Sequence, residues 1–329
     1  MKNLMKAVAV ALLAAGLLNP CFSEAAPQKI KAISGTVGGV WFVGQGAMGK
    51  ALTKAFPGLE YNLVAGGSVG NPIRIDKKDG DISITQRTNS IAAQVPSDPY
   101  KKKLNDVRSL GVIGDSTPLS IVVRDDFPVY TLDDLAQKKL AVRLATGPNG
   151  TTSQSFGKWA LEAYGITLKD IQSWGGRIFT NNYDDVSNMV KDGQIDMFFF
   201  VGPGEAGWIR DASIGVKLRF IPIPADKAAV LQEKYGLAPD VHEASKYGGE
   251  LSGGKDVPTV GDTSEFIVRA DMAEQDVYDI LKACFDNWND VVLAYPVWKT
   301  FTRENAWKNP GFPLHPGAER FYREFGGMK

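Results

Sequence analysis

The sequence predicts an α/β protein built of two similar lobes, and three observations carry that prediction. Strand-like and helix-like segments alternate from Pro27 onward, which is the rhythm of a mainly parallel α/β sheet. Leading strands run into Gly-rich turns that open helices, at 35–39, 66–70 and 147–150. The plan also occurs twice. Lys-Asp-Gly-Asp-Ile at 78–82 and Lys-Asp-Gly-Gln-Ile at 191–195 are near copies, set 41 residues from Gly39 to Gly80 and 43 from Gly150 to Gly193.

Ahead of the first lobe, Lys2 and Lys6 precede an apolar stretch from Ala7 to Leu18. Asn19-Pro20 and the small residues of Ser23-Glu24-Ala25 follow. This is the layout of a secretory signal peptide. The apolar run is too short for the roughly 20 residues a bilayer span needs. Cleavage is expected after Ala25, with delivery to the periplasm. Cys21 leaves with that segment, so Cys284 stands alone and no intrachain disulfide is expected.

Lys29–Ser34 reads as the first strand, and 41–56 as a helix with Met48, Leu52 and Phe56 four apart. Tyr61–Val64 is the second strand, followed by a short helix ending at Asp79-Gly80, and Asp81–Thr85 is the third strand. In the second lobe Leu140–Ala145 is a strand. A helix starts at Thr151 and buries Phe156, Trp159, Ala160 and Ala163, and Gly165 stops it. Asp184–Lys191 is the next helix, and Ile195–Val201 the next strand. Residues 241–262, rich in Gly, Ser, Lys and Asp, read as a long surface segment. The tail, 273–329, reads as helical, with Val277, Ile280, Leu281, Cys284, Trp288 and Val291 as a core stripe.

Composition narrows the function. Lys+Arg and Asp+Glu number 37 each, so no net basic charge points to nucleic acid. Two His and one Cys beyond residue 25 argue against a His/Cys metal site, and no cofactor is expected. In open α/β sheets, ligands sit beyond the carboxyl ends of the strands, where loops meet helix N-termini. Glycine leaves backbone N–H groups open there, and the helix adds partial positive charge, so a carboxylate binds without a formal cation. The turns at Gly39, Gly67 and Gly150 offer that feature in both lobes, with Ser68, Asn71, Thr151, Thr152 and Ser153 as side-chain partners. Arg87, just past a strand end, would make a bidentate bond to a ligand carboxylate. Trp41 and Phe42 would wall the pocket, and Glu205 would meet a ligand amine.

Two motifs point elsewhere. Gly66-Gly67-Ser68-Val69-Gly70 matches the G-x-S-x-G of a nucleophile elbow. That reading makes Ser68 the nucleophile of a secreted hydrolase and needs His242 or His315 as base. Only one strand precedes Tyr61–Val64, however, and His315 sits in a rigid Pro-flanked turn. Gly44-Gln45-Gly46-Ala47-Met48-Gly49 matches G-x-G-x-x-G and most of a P-loop, but these glycines lie inside a helix, and Ala51 replaces the Ser/Thr that would hold Mg²⁺.

Six stretches, in order, carry a further resemblance: Ser34-Gly35-Thr36-Val37-Gly38-Gly39-Val40-Trp41-Phe42; Gly66-Gly67-Ser68-Val69-Gly70-Asn71; Asp79-Gly80-Asp81-Ile82-Ser83-Ile84-Thr85-Gln86; Gly147-Pro148-Asn149-Gly150-Thr151; Asp192-Gly193-Gln194-Ile195-Asp196; and Leu314-His315-Pro316-Gly317-Ala318-Glu319-Arg320-Phe321-Tyr322. From about Lys29 to Glu324 the chain resembles the TAXI family of solute receptors that serve TRAP transporters. The resemblance implies a type II periplasmic-binding-protein fold with two crossovers between lobes. It implies a small anionic or zwitterionic ligand, such as glutamate or a dicarboxylate like 2-oxoglutarate, and TRAP permease membrane subunits as partner. By position, Gly39, Trp41, Gly67, Ser68, Asn71 and Gln86 would line one lobe, and Asn149, Thr151 and Thr152 the other. Departures fall on this cleft: Trp41-Phe42 where the family has paired Tyr, Arg87-Thr88 where it has small residues and Asp, Pro72 after Asn71, and Asn149 where a Gly often stands. Lobe one is expected to hold 27–117 and 264–329, and lobe two 118–263, with crossovers at Leu119–Val123 and Glu265–Val268. A ligand-binding subunit of a sensor system is the alternative in the same binding class.

Overall fold

Two parallel triplets of strands joined through a pair of long antiparallel strands organise the computed structural model, which describes residues 27–329 except 38, 98, 203–205, 248–250 and 252. The first triplet is β1 (Lys29–Ile33), β2 (Glu60–Val64) and β3 (Ile82–Gln86), interleaved with α1 (Val40–Ala55), α2 (Gly70–Asp76) and α3 (Arg87–Gln94). The long β4 (Val107–Arg124) leads through α4 (Leu132–Lys138) into β5 (Arg143–Ala145), α5 (Thr152–Glu162), α6 (Leu168–Ser173), β6 (Arg177–Phe179), α7 (Tyr183–Lys191) and β7 (Met197–Val201). Then come α8 (Gly207–Ala212), β8 (Leu218–Phe220), α9 (Ala225–Tyr235), β9 (Ala238–His242) and the long β10 (Val257–Arg269). The helices α10 (Glu274–Asp286), α11 (Trp288–Ala294) and α12 (Pro316–Phe325) finish the chain.

The strand order is β2-β1-β3-β10-β4-β7-β5-β6. Within it β1 pairs in parallel with β2 and β3, and β5 pairs in parallel with β6 and β7. Each triplet therefore places its first strand in the middle and joins an antiparallel long strand at its third. The repeated sequence plan is thus repeated in space. Partners change along the long strands: β4 pairs with β10 up to Pro118 and with β7 from Leu119, while β10 pairs with β9 up to Gly261 and with β3 from Ser264. Leu119–Val123 and Glu265–Val268 lie inside these two strands.

Helix starts follow their capping residues. Thr131 and Thr167 close reciprocal capping boxes with Asp134 and Asp170, and Asn182 accepts from the Asp185 N–H. The glycines inside α1 answer to packing. A Cβ on Gly44 would stand 2.6 Å from the Trp298 ring, and one on Gly49 would stand 2.4 Å from Tyr61, so both aromatic rings lie against helix backbone. The apolar stripe of the tail is buried as its spacing requires. It shares one core with β1, β3 and α1, and burial pushes the Cys284 thiol up to about 12, leaving it inert.

Two expectations are overturned. The tail is not helical throughout: residues 301–315 are turns and irregular chain ahead of α12. Residues 241–262 are not wholly a surface segment: 257–262 begin β10, and Thr259, Val260 and Asp262 are buried. The Gly- and Lys-rich stretch just before hid the alternation that marks a strand. Residues 1–25, with the signal-peptide expectation and Cys21, lie outside the described residues, as does Glu205.

Candidate functional site: a cleft between the two triplets

A cavity of about 570 Å³ opens where the carboxyl ends of the two triplets meet. One wall carries Gly35, Thr36, Gly39, Trp41, Gly67, Ser68 and Gln86; the other carries Thr151, Thr152, Ser153, Tyr183, Phe200 and Trp208. Helices of eight residues or more begin on both walls: α1 after Gly39, α3 after Gln86, α5 after Thr151 and α7 after Asn182. First-turn N–H groups have no intrahelical acceptors, so these starts bring donors and partial positive charge to the cavity, although Asp262 takes the Thr88 N–H of α3, and Thr151 and Asn182 cap the Gln154 and Asp185 N–H groups of α5 and α7.

The two walls touch through their Gly-rich turns. The Thr152 hydroxyl donates to Ser68 Oγ at 2.7 Å, and the Val69 N–H reaches Gly150 O at 3.4 Å. A Cβ on Gly67 would come within 2.8 Å of Gly150 O, so only glycine lets the backbones approach this closely. Thr85 Oγ1 holds Ser68 from behind through the Ser68 carbonyl at 2.6 Å. On the second wall Ser153 Oγ meets Tyr183 Oη at 2.9 Å and accepts from the Val201 N–H at 2.9 Å, fixing strand end to helix start. Tyr183 stacks on Trp208 with centroids 5.2 Å apart, and Phe200 stands edge-on to both. Burial raises the Tyr183 phenol.

Of the residues expected in the site, Gly39, Trp41, Gly67, Ser68, Gln86, Thr151 and Thr152 line the cavity. Three do not. Asn71 is fully buried: its Nδ2 donates to Ser34 O and Ile84 O, both at 2.8 Å, and its Oδ1 accepts from the Gly67 N–H at 3.0 Å. It shapes the turn and does not face the ligand space. Arg87 turns its Nε to Asn309 O at 2.5 Å, because as the first residue of α3 its side chain leaves the cleft. Asn149 is exposed, and its Oδ1 accepts from Gln154 at 2.7 Å.

The sequence reading missed Thr117, Asn182, Tyr183, Phe200 and Trp208 as lining residues. A signal existed in Phe198-Phe199-Phe200, since alternation along a strand puts Phe198 and Phe200 on one face. Phe199 faces the other way, against Gly157.

The hydrolase reading fails on geometry. Ser68 Oγ is paired with Thr152, while His242 Nε2 pairs with Leu119 O and its ring stacks on Phe220. His315 Nε2 meets Met272 O, and its Nδ1 accepts from the Gly317 N–H. Neither imidazole is engaged with Ser68, so no nucleophile–base pair is formed.

Comparison with known proteins agrees with this architecture. The NMT1-like family matches residues 33–326. PhnD1 from Prochlorococcus marinus, in complex with methylphosphonate, superposes with a TM-score of 0.54 at 10% identity, over 83% of this chain and 91% of that one. A binding-protein component of an ABC phosphonate transporter from Pseudomonas aeruginosa gives 0.51 at 10% identity, over 84% and 80%. The fold is thus the mixed α/β, curled-sheet fold of periplasmic-binding-protein-like structures. Among the described residues no helix is long and apolar enough to cross a membrane.

Proposed function

We propose that this chain, which belongs to the NMT1-like family, is the extracytoplasmic solute receptor of a membrane importer and binds a small organic acid or amino acid in the cleft. The observation that carries the reading is the cleft itself: Gly-rich turns and helix starts from both triplets converge on one cavity of about 570 Å³, the size of a small-molecule site. Backbone donors there suit an anionic group. The described lining residues offer ligand contacts but no activated nucleophile.

In this reading the moving units are 27–117 with 264–329, and 118–263. Hinge motion in β4 and β10 would open and close the cleft, and the Ser68–Thr152 bond belongs to the closed form. The permease would recognise that closed form. The six motif stretches favour a TRAP permease as partner, with the N-terminal 25 residues directing the chain to the periplasm. With Arg87 outside the lining of the cleft, the ligand is held at the class of small acids.

A thermal-shift screen of organic acids and amino acids tests the reading. A ligand at one hundred times its Kd stabilises by about 2.7 kcal/mol. A clear rise in melting temperature with at least one small acid is expected, and its absence across the set sinks the receptor assignment. Uptake of that acid into vesicles holding a TRAP permease, dependent on added receptor, separates TRAP delivery from a sensor role.

A further inference from the structure

The lining of the cleft carries a charge and hydrogen-bond bias that narrows the ligand class, an inference that rests on the receptor reading above. No described lining residue is Lys, Arg or His, and the only carboxylate among them, Asp184, is exposed at the start of α7. One anionic group finds the first-turn N–H groups of α1, α5 and α7. A second would find no cation on the described lining and would share the cavity with Asp184.

Gln86 supplies the second, independent observation. It lines the cavity and is only 2% exposed. The orientation of its amide follows from its neighbour. The Thr117 hydroxyl has a single hydrogen and gives it to Asp262 O at 2.9 Å. Thr117 Oγ1 can therefore only accept from Gln86, which must turn Nε2 toward it, at 3.2 Å. That leaves Gln86 Oε1 buried, with no hydrogen-bond partner among the described residues. A buried acceptor is costly to leave unmade, so the occupant of the cleft is called on to bring a donor. The Nε1–H of Trp208 is likewise buried without a partner and awaits an acceptor. The rings of Trp41, Tyr183, Phe200 and Trp208 surround the remaining space with apolar surface.

We infer that the ligand is a monoacid with one anionic group, a hydroxyl or amino donor that satisfies Gln86, and an aromatic or bulky apolar body. Dicarboxylates fall outside this class.

Calorimetric titration of the chain without its N-terminal 25 residues tests this with four probes: 3-phenyllactate, phenylalanine, 3-phenylpropionate and 2-hydroxyglutarate. Phenyllactate or phenylalanine is expected to bind about tenfold or more tightly than phenylpropionate, which keeps ring and carboxylate but lacks the donor. The tighter of the two identifies the donor as hydroxyl or ammonium. The same compound should also outbind 2-hydroxyglutarate, which keeps the hydroxyl and exchanges the ring for a second carboxylate. In Gln86→Met the preference over phenylpropionate should shrink to about threefold or less. Equal binding of phenylpropionate, tighter binding of 2-hydroxyglutarate, or a preference that survives Gln86→Met overturns this inference and leaves the receptor reading standing. If none of the four binds and the wider acid screen is also blank, the receptor reading fails and this inference falls with it.

Discussion

Thr152 donates to Ser68 across 84 positions of sequence, and this 2.7 Å bond ties the turn after β2 to the start of α5. Both side chains are buried at the meeting of the two walls. Thr152→Val keeps the shape and removes the donor, so closure loses about 1 kcal/mol. Apparent affinity falls with the population of the closed form, so Kd for a cleft ligand should rise about fivefold. An unchanged Kd would mean that the contact contributes nothing to closure.

Asn71 acts on stability rather than on affinity directly. Its three bonds join Ser34 just past β1, Ile84 in the middle of β3 and the Gly67 turn, the two to carbonyls buried and the one from Gly67 partly so. Asn71→Ala strands two buried carbonyls and one N–H and should cost about 3 kcal/mol in urea unfolding. Asn71→Asp should be no better, because a carboxylate keeps the acceptor for Gly67 but opposes two carbonyl oxygens. A loss below about 0.5 kcal/mol in both variants would contradict the bracing role.

Arg87 gives the opposite expectation. Its Nε donates to Asn309 O, and the residue is not on the lining of the cleft. Arg87→Ala should leave ligand affinity within about twofold, far short of the loss expected of a buried charge-assisted bond. A tenfold weakening by calorimetry would return Arg87 to the site.

The repeated plan was legible because it is local: strand, Gly-rich turn, helix, and a second Asp-Gly at matching distance. Hydrophobic period and turn chemistry locate such elements without knowledge of what packs on them. Direction of side chains was not legible. Asn71 and Arg87 stand in the right segments, yet one turns inward to brace a loop and the other turns out, and those choices depend on Ser34, Ile84 and Asn309 far along the chain. The glycines of α1 suggested a phosphate loop because their true neighbours, Trp298 and Tyr61, come from other elements. The aromatic wall escaped for the same reason, since Tyr183, Phe200 and Trp208 belong to three separate elements.

Glu265 gives the long strand β10 a pH dependence. It is fully buried and accepts from the N–H groups of Gly311 at 3.1 Å and Phe312 at 3.3 Å. Burial raises its carboxyl from 4.5 to about 7, against the opposing pull of the nearby Ser109 and Ser90 hydroxyls and of the two N–H donors. The folded chain therefore keeps this proton after the unfolded chain has released it. The stability so gained is full below about 4.5 and is lost as pH rises through about 7. Asp262, raised by burial to about 6, acts with the same sign. His242 and His315 are both lowered by burial and act with the opposite sign as pH falls below 6.5. The clean measurement is thus the difference between Glu265→Gln and wild type, in which those other groups cancel. Glutamine mimics the neutral acid and keeps an acceptor for Gly311 and Phe312. From pH 5 to 7 the variant should gain on wild type by up to about 1.4 kcal/mol per unit in urea unfolding, and above pH 8 the gain should level off. A difference that stays flat across pH 5 to 8 would show that Glu265 titrates in its ordinary range despite its burial.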